Sequence, residues 1–162
     1  MAALFDVNVL VALAWPSHAQ HRAARRWFTQ KRPNGWATCT LTQAGFVRVS
    51  AQLPGSEGAV PVGDGLRSLQ LAIGDPFHQF WTLDTPITEL HPEIRDQLRG
   101  PRQLTDALLL DLAIRRGGTL ATFDQKIRAL LPADSPLQAT IQVIGGNAGS
   151  SSMVKHSQGG DE

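Results

Sequence analysis

The chain has 162 residues and a single cysteine, Cys39. That excludes an internal disulfide framework and any zinc site built on several thiolates. With no export signal visible, a reducing cytoplasm is the expected compartment. No uninterrupted apolar run approaches the roughly 20 residues of a membrane-spanning helix. The apolar N-terminus lacks the basic flank of a signal peptide, and Asp6 interrupts it. Charge of one sign is missing locally. Between Asp6 and Glu57 there is no acidic residue, while Arg22, Arg25, Arg26, Lys31, Arg32 and Arg48 all fall there. Such an imbalance can steer a polyanion or an acidic protein to one face, and it is equally what a solvated helix face looks like. A phosphate loop is also missing: the Gly-rich stretch 56–65 lacks that spacing and the Lys-Ser/Thr ending.

What is present is the composition of one folded domain, 42% hydrophobic and 18% charged. Short apolar runs alternate with helical periodicity, which predicts a parallel α/β sheet. The run before Asp6, Trp36–Cys39, Phe77–Leu83, Thr119–Phe123 and Ile141–Ile144 read as strands. Helices are expected over Ser17–Lys31, after a capping box Thr40-x-x-Gln43, around Leu66–Ile73, over Pro92–Leu98 and over Leu104–Ile114. Leu41, Phe46, Val49 and Leu53 mark the buried side of the second, and Gly45 within it signals close backbone packing. His18 and His21 stand at i and i+3, but two histidines without a third ligand suggest a surface or partner contact. The aromatics Phe77, Phe80 and Trp81 read as core rather than as a base-stacking platform. The domain is expected over 1–144, with a disordered Gly/Ser-rich tail over 145–162.

The chemistry lies in three aspartates. Asp6 and Asp124 each follow an apolar strand directly, at the carboxyl edge where open α/β sheets bind ligands. Asp106 opens the apolar helix that leads into the second of those strands, while Asp111 falls some 140° away around the axis. Three anions brought to one edge repel one another, and a divalent cation relieves the conflict. All-oxygen ligation suits Mg²⁺ or Mn²⁺. Such a centre supports hydrolysis of a phosphoester by an activated water, with the basic segment holding a nucleic-acid backbone. Asn8 could orient the Asp6 carboxylate. On these residues alone, a strand-end Asp6 that only caps a helix starting at Val7 stands equally open.

Phe5-Asp6-Val7-Asn8-Val9-Leu10, Leu104-Thr105-Asp106-Ala107-Leu108-Leu109 and Thr122-Phe123-Asp124, with a partial match at Thr42-Gln43-Ala44-Gly45-Phe46, resemble the PIN-domain family. The likeness is greatest to its VapC-type ribonuclease toxins. The resemblance spans about residues 1–144. It implies a three-layer α/β/α fold, Mg²⁺-dependent endoribonuclease activity, neutralisation by a VapB-like antitoxin, and homodimerisation. By motif match Asp6 and Asp106 would be the metal ligands and Asp124 would complete the catalytic pocket. Asn8 and Thr122 would support them. From the charge distribution, and not from the motifs, the helix bearing Arg22, Arg25 and Arg26 is the candidate face for RNA or the antitoxin. One position departs: many members carry Glu where this chain has Gln43, and an amide keeps an acceptor oxygen without the charge. A weakened domain that binds RNA or antitoxin without cutting is the alternative. A haloacid-dehalogenase-like phosphatase would want a second Asp where Asn8 stands.

Overall fold

The computed structural model describes residues 1–52, 54–55 and 58–145. Along the chain come β1 (Ala3–Phe5), α1 (Val7–Ala14), α2 (His21–Lys31), β2 (Trp36–Thr38) and α3 (Thr40–Ser50). A short antiparallel pair, β3 (Pro54–Gly55) and β4 (Gly58–Ala59), leads to α4 (Val62–Ile73) and β5 (His78–Phe80). Then follow α5 (Pro92–Gln97), α6 (Leu104–Arg115), β6 (Thr119–Thr122), a 3₁₀ segment Gln125–Leu130, another over Pro136–Thr140, and β7 (Ile141–Val143).

The main sheet has five parallel strands in the order β5-β2-β1-β6-β7. Parallel strands need crossovers, and these cover both faces. On one side Ala3, Phe5, Trp36 and Ala121 pack with Val9, Leu10, Val11, Phe46 and Leu69 of α1, α3 and α4. On the other, Leu4, Ala37 and Leu120 pack with Ile94 of α5 and Ala107, Leu110 and Ala113 of α6. The result is the expected three-layer α/β/α sandwich. From β1 the chain steps through β2 to β5, then crosses back to β6 on the opposite flank. The direction of winding therefore reverses between β1 and β6, the place where an open sheet leaves a crevice at its carboxyl edge.

Several boundaries differ from expectation. The helix predicted from Ser17 starts at His21, because His18 and the preceding turn use their hydrogen bonds locally: the His18 N–H donates to the Trp15 carbonyl, and the Gln20 N–H donates to His18 Nδ1. A separate helix, α1, follows Asp6 without a turn; its apolar run is buried along Val9–Ala12. The box opening α3 pairs Cys39 with Thr42, whose hydroxyl accepts the Cys39 N–H at 3.0 Å. Thr40 stands one residue inside that helix, and Gln43 bonds elsewhere. Residues 62–65, read as loop, form the first turn of α4, where Gly65 fits against Val47. The Phe77–Leu83 strand shrinks to His78–Phe80 at the sheet edge. Phe77 and Phe80 are 39% and 51% exposed, so only Trp81 of the three aromatics is core. Leu53 and the tail from 146 lie outside the described residues.

Candidate active site

β1 ends at Phe5, and Asp6 takes the N-cap position of α1. Its backbone N–H donates to the Ala121 carbonyl at 3.0 Å, which fixes the end of β1 against β6. The carboxylate does not cap α1; it accepts the Thr122 hydroxyl proton at 2.9 Å. That hydroxyl in turn accepts the Asp124 N–H at 3.0 Å. One buried threonine at the end of β6 thus ties together the two aspartates that follow β1 and β6. The Asp124 carboxylate accepts the Lys126 N–H at 2.8 Å and caps the 3₁₀ segment after it.

Asp106 lies in the first turn of α6, half-buried. Among the described residues it takes no hydrogen bond and no ion pair. Burial first, then the charges of Asp6 and Asp124, push its carboxyl up to about 6. Burial also raises Asp6 above its ordinary value; the Thr122 hydroxyl and the Val7 N–H oppose this, and the Asp124 charge adds to it. The three aspartates therefore feel one another at one edge, and among the described residues no Lys, Arg or His forms an ion pair with any of them. Asp111, on the same helix, is separate: it accepts the His91 N–H at 2.7 Å and pairs with Arg115 at 2.6 Å.

Among the described residues no three acidic, histidine or cysteine side chains already enclose a single point as a complete ligand set would. Mg²⁺ does not require that: it keeps several waters and takes one or two protein carboxylates. An unpartnered, half-buried Asp106 beside a desolvated Asp6 fits such an ion in charge and in donor type.

The other expected residues are placed differently. Asn8 is exposed and makes no hydrogen bond to Asp6; Thr122 does the orienting instead, because it projects from the adjacent strand. Arg22, Arg25 and Arg26 are exposed on α2 and pair with none of the three aspartates. Arg25 also lines a cavity of about 260 Å³ between α1, α2 and α4, whose walls include none of the three aspartates. His21 Nδ1 meets the Ala12 carbonyl at 2.7 Å, docking α2 onto α1, while His18 Nδ1 takes the Gln20 N–H two residues on, so the two rings are engaged separately. The sequence reading missed Thr38 and His78. Gln43 Nε2 donates to Thr38 Oγ1 at 2.9 Å, and Thr38 Oγ1 lies 2.8 Å from His78 Nε2. No local signal links residues 38 and 78; only the pairing of β2 with β5 brings them together.

Comparison with known proteins gives a consistent picture. The PIN domain family model matches residues 3–130. Ribonuclease VapC39 of Mycobacterium tuberculosis is 40% identical over 89% of this chain and 100% of its own length. Ribonuclease VapC44 of the same organism is 42% identical over 78% of this chain and 89% of its own. Among solved structures, the sarcin–ricin loop cleaving toxin VapC20 of Mycobacterium tuberculosis superposes with a TM-score of 0.59 at 13% identity, covering 80% of this chain and 94% of that one. VapBC2 from Rickettsia felis, bound to a DNA fragment from its promoter, gives 0.56 at 16% identity, covering 82% and 94%. At those identities the structures speak to the fold.

Proposed function

The chain belongs to the PIN-domain family, in its VapC-type group, and from that premise we propose that it is a metal-dependent endoribonuclease, the toxin of a toxin–antitoxin pair. The observation that carries the reading is the convergence of Asp6, Asp106 and Asp124 on the crevice between β1 and β6, with Asp106 raised to about 6 and unpaired. Asp6 and Asp106 would hold Mg²⁺, or Mn²⁺ in its place. When bound, such an ion stabilises charge on a phosphate and lowers the pKa of an attacking water. Thr122 keeps one Asp6 oxygen engaged and so fixes which lone pairs face the crevice. Asp124, exposed at its rim, would accept a proton from water or hold that water by hydrogen bonding. The exposed Arg22, Arg25 and Arg26 supply cations for a polyanion or for an acidic antitoxin segment. A VapB-like antitoxin and self-association into a homodimer complete the proposal. Among the described residues no helix is long and apolar enough to cross a membrane.

The test is cleavage of a mixed structured-RNA pool by the purified, antitoxin-free chain. Mg²⁺, Mn²⁺ and chelator are compared, beside Asp6→Asn prepared identically. Metal-dependent cutting that falls in Asp6→Asn by more than the roughly 10–100-fold typical of losing a ligand's supporting partner establishes the site. Equal cutting by both proteins rejects it. Binding of RNA or antitoxin without any cutting favours the non-cleaving reading, for which Gln43 is the specific ground. Charge reversal at Arg25 and Arg26 is expected to weaken binding of RNA or antitoxin; unchanged affinity for both removes the α2 face from the proposal.

A further inference from the structure

A hydrogen-bonded chain runs from Gln43 in the first turn of α3, through the end of β2, to the outer strand of the sheet. Gln43 Nε2 donates to Thr38 Oγ1, and that oxygen lies 2.8 Å from His78 Nε2. Thr38 is fully buried at the end of β2, beside the end of β1 by continuation of their register. The His78 ring sits against Trp36 with centroids 4.6 Å apart. A hydroxyl has one proton to give. With the Gln43 amide donating to it, the hydroxyl can give that proton to a His78 Nε2 that carries none, the arrangement a neutral ring with its hydrogen on Nδ1 would make. Burial holds His78 below its ordinary 6.5, against the Asp75 charge and the Ile73 carbonyl, so the neutral ring is the form present at pH 7. Asp75 is the charged group that acts on the ring, and Arg32 largely claims it through contacts of 2.7 and 2.9 Å. With its NH₂ committed to Thr38, the planar Gln43 amide leaves Oε1 free, and that oxygen has no partner among the described residues.

We propose that Thr38 and His78 are positioning residues for Gln43: together they set which end of its amide faces the acidic edge. Neutral His78 draws the hydroxyl proton, the hydroxyl draws the NH₂, and the carbonyl oxygen is presented as an acceptor for water or for a substrate hydroxyl. A proton taken up at His78 Nε2 reverses the chain. The ring N–H then donates to Thr38 Oγ1, the hydroxyl proton turns to Gln43, and the amide rotates to accept it, presenting NH₂ instead. The use of this device rests on the nuclease reading; its geometry does not.

The test therefore uses the ¹⁵N-labelled full chain, free of metal and RNA, and is independent of any cleavage result. The Gln43 side-chain amide resonances and the His78 ring resonances are followed from pH 8 to pH 5 with every sample in an Asp106→Asn background, because Asp106, held at about 6, would otherwise titrate at the same edge in the same range. Both are expected to move with one common midpoint, below 6.5. In Thr38→Val the Gln43 resonances no longer follow His78, and Thr38→Ser restores the coupling. Should Thr38→Val lose its folded spectrum, His78→Gln serves in its place, since a side chain that is neutral throughout leaves the Gln43 resonances flat over the same range. In that background, Gln43 resonances that stay still while His78 titrates with Thr38 intact, or that respond equally in Thr38→Val, overturn the proposal.

Discussion

Asp106 is the side chain most at odds with its surroundings. Its carboxyl is held at about 6 in the fold, against an ordinary value of 3.8. The folded chain therefore binds this proton more tightly than the unfolded chain. Between about pH 4 and pH 6 it holds more protons, and stability falls as pH rises through that window. Above it the charged carboxylate is a standing penalty in the metal-free protein. Solvent reaches this half-exposed group and screens it, so the penalty is about 1 kcal/mol. Asp106→Asn is therefore expected to stabilise the metal-free chain by about 1 kcal/mol at pH 7 while abolishing RNA cutting. Urea unfolding at pH 7 and at pH 4 checks it; the gain should vanish at the lower pH. Thr122 makes the opposite case. Its hydroxyl donates to Asp6 and accepts from the Asp124 N–H, so Thr122→Val removes both bonds and frees Asp6 to rise further. Cutting is expected to drop roughly 10–100-fold, with Thr122→Ser recovering most of it. An undiminished rate in Thr122→Val would show that the threonine only caps its strand.

The elements that carry these residues are held by two close approaches. A Cβ on Gly45 would lie 2.5 Å from Val7 Cγ2, so α3 crosses α1 where α1 begins, one residue after Asp6. Valine in a helix has little rotamer freedom with which to move aside. Gly45→Ala must therefore push α1 and α3 apart, at a typical overpacking cost of about 1–3 kcal/mol. About 1 kcal/mol of helix propensity offsets part of that. A net destabilisation with reduced cutting is expected, and Val7→Ala in the same chain should restore both, since residues in contact couple by about 0.5–3 kcal/mol. Additive effects in the double variant would mean that α1 is not held in this way. The closeness itself was legible in the sequence, because a glycine inside a helix pattern has few other reasons to be there. So were the five parallel strands and the three aspartates, whose signals are local: an apolar run, a stop, an acid. The rest depended on pairing at a distance. Phe77 and Phe80 have the composition of a buried strand, and only the strand order places β5 at an edge where they are exposed. Asn8 is near Asp6 in sequence, but a helix begins between them and turns it to solvent. Thr122, 116 residues away, reaches the carboxylate from the neighbouring strand.

For the whole molecule, the reversal of winding between β1 and β6 collects negative charge from both halves of the chain into one crevice. On the proposed reading, folding builds a site that is repulsive when empty and favourable around a cation, so metal binding and stability would be linked. A ligand that binds only the folded chain stabilises it by about 2.7 kcal/mol at 100 times its dissociation constant. Protons compete for the same oxygens. With Asp106 at about 6, some nine-tenths of the empty sites carry a proton there at pH 5, against about one in ten at pH 7. The apparent Mg²⁺ affinity should therefore fall about tenfold between pH 7 and pH 5, and the stabilisation at fixed Mg²⁺ by about 1.4 kcal/mol. Thermal unfolding with and without Mg²⁺, at matched ionic strength set with sodium chloride, measures this. Asp6→Asn and Asp106→Asn should each lose the Mg²⁺ increment at both pH values while keeping any general salt effect. An increment equal at pH 5 and pH 7, or one that survives in both variants, would place the cation elsewhere on the protein and leave the acidic crevice without the partner its charge demands.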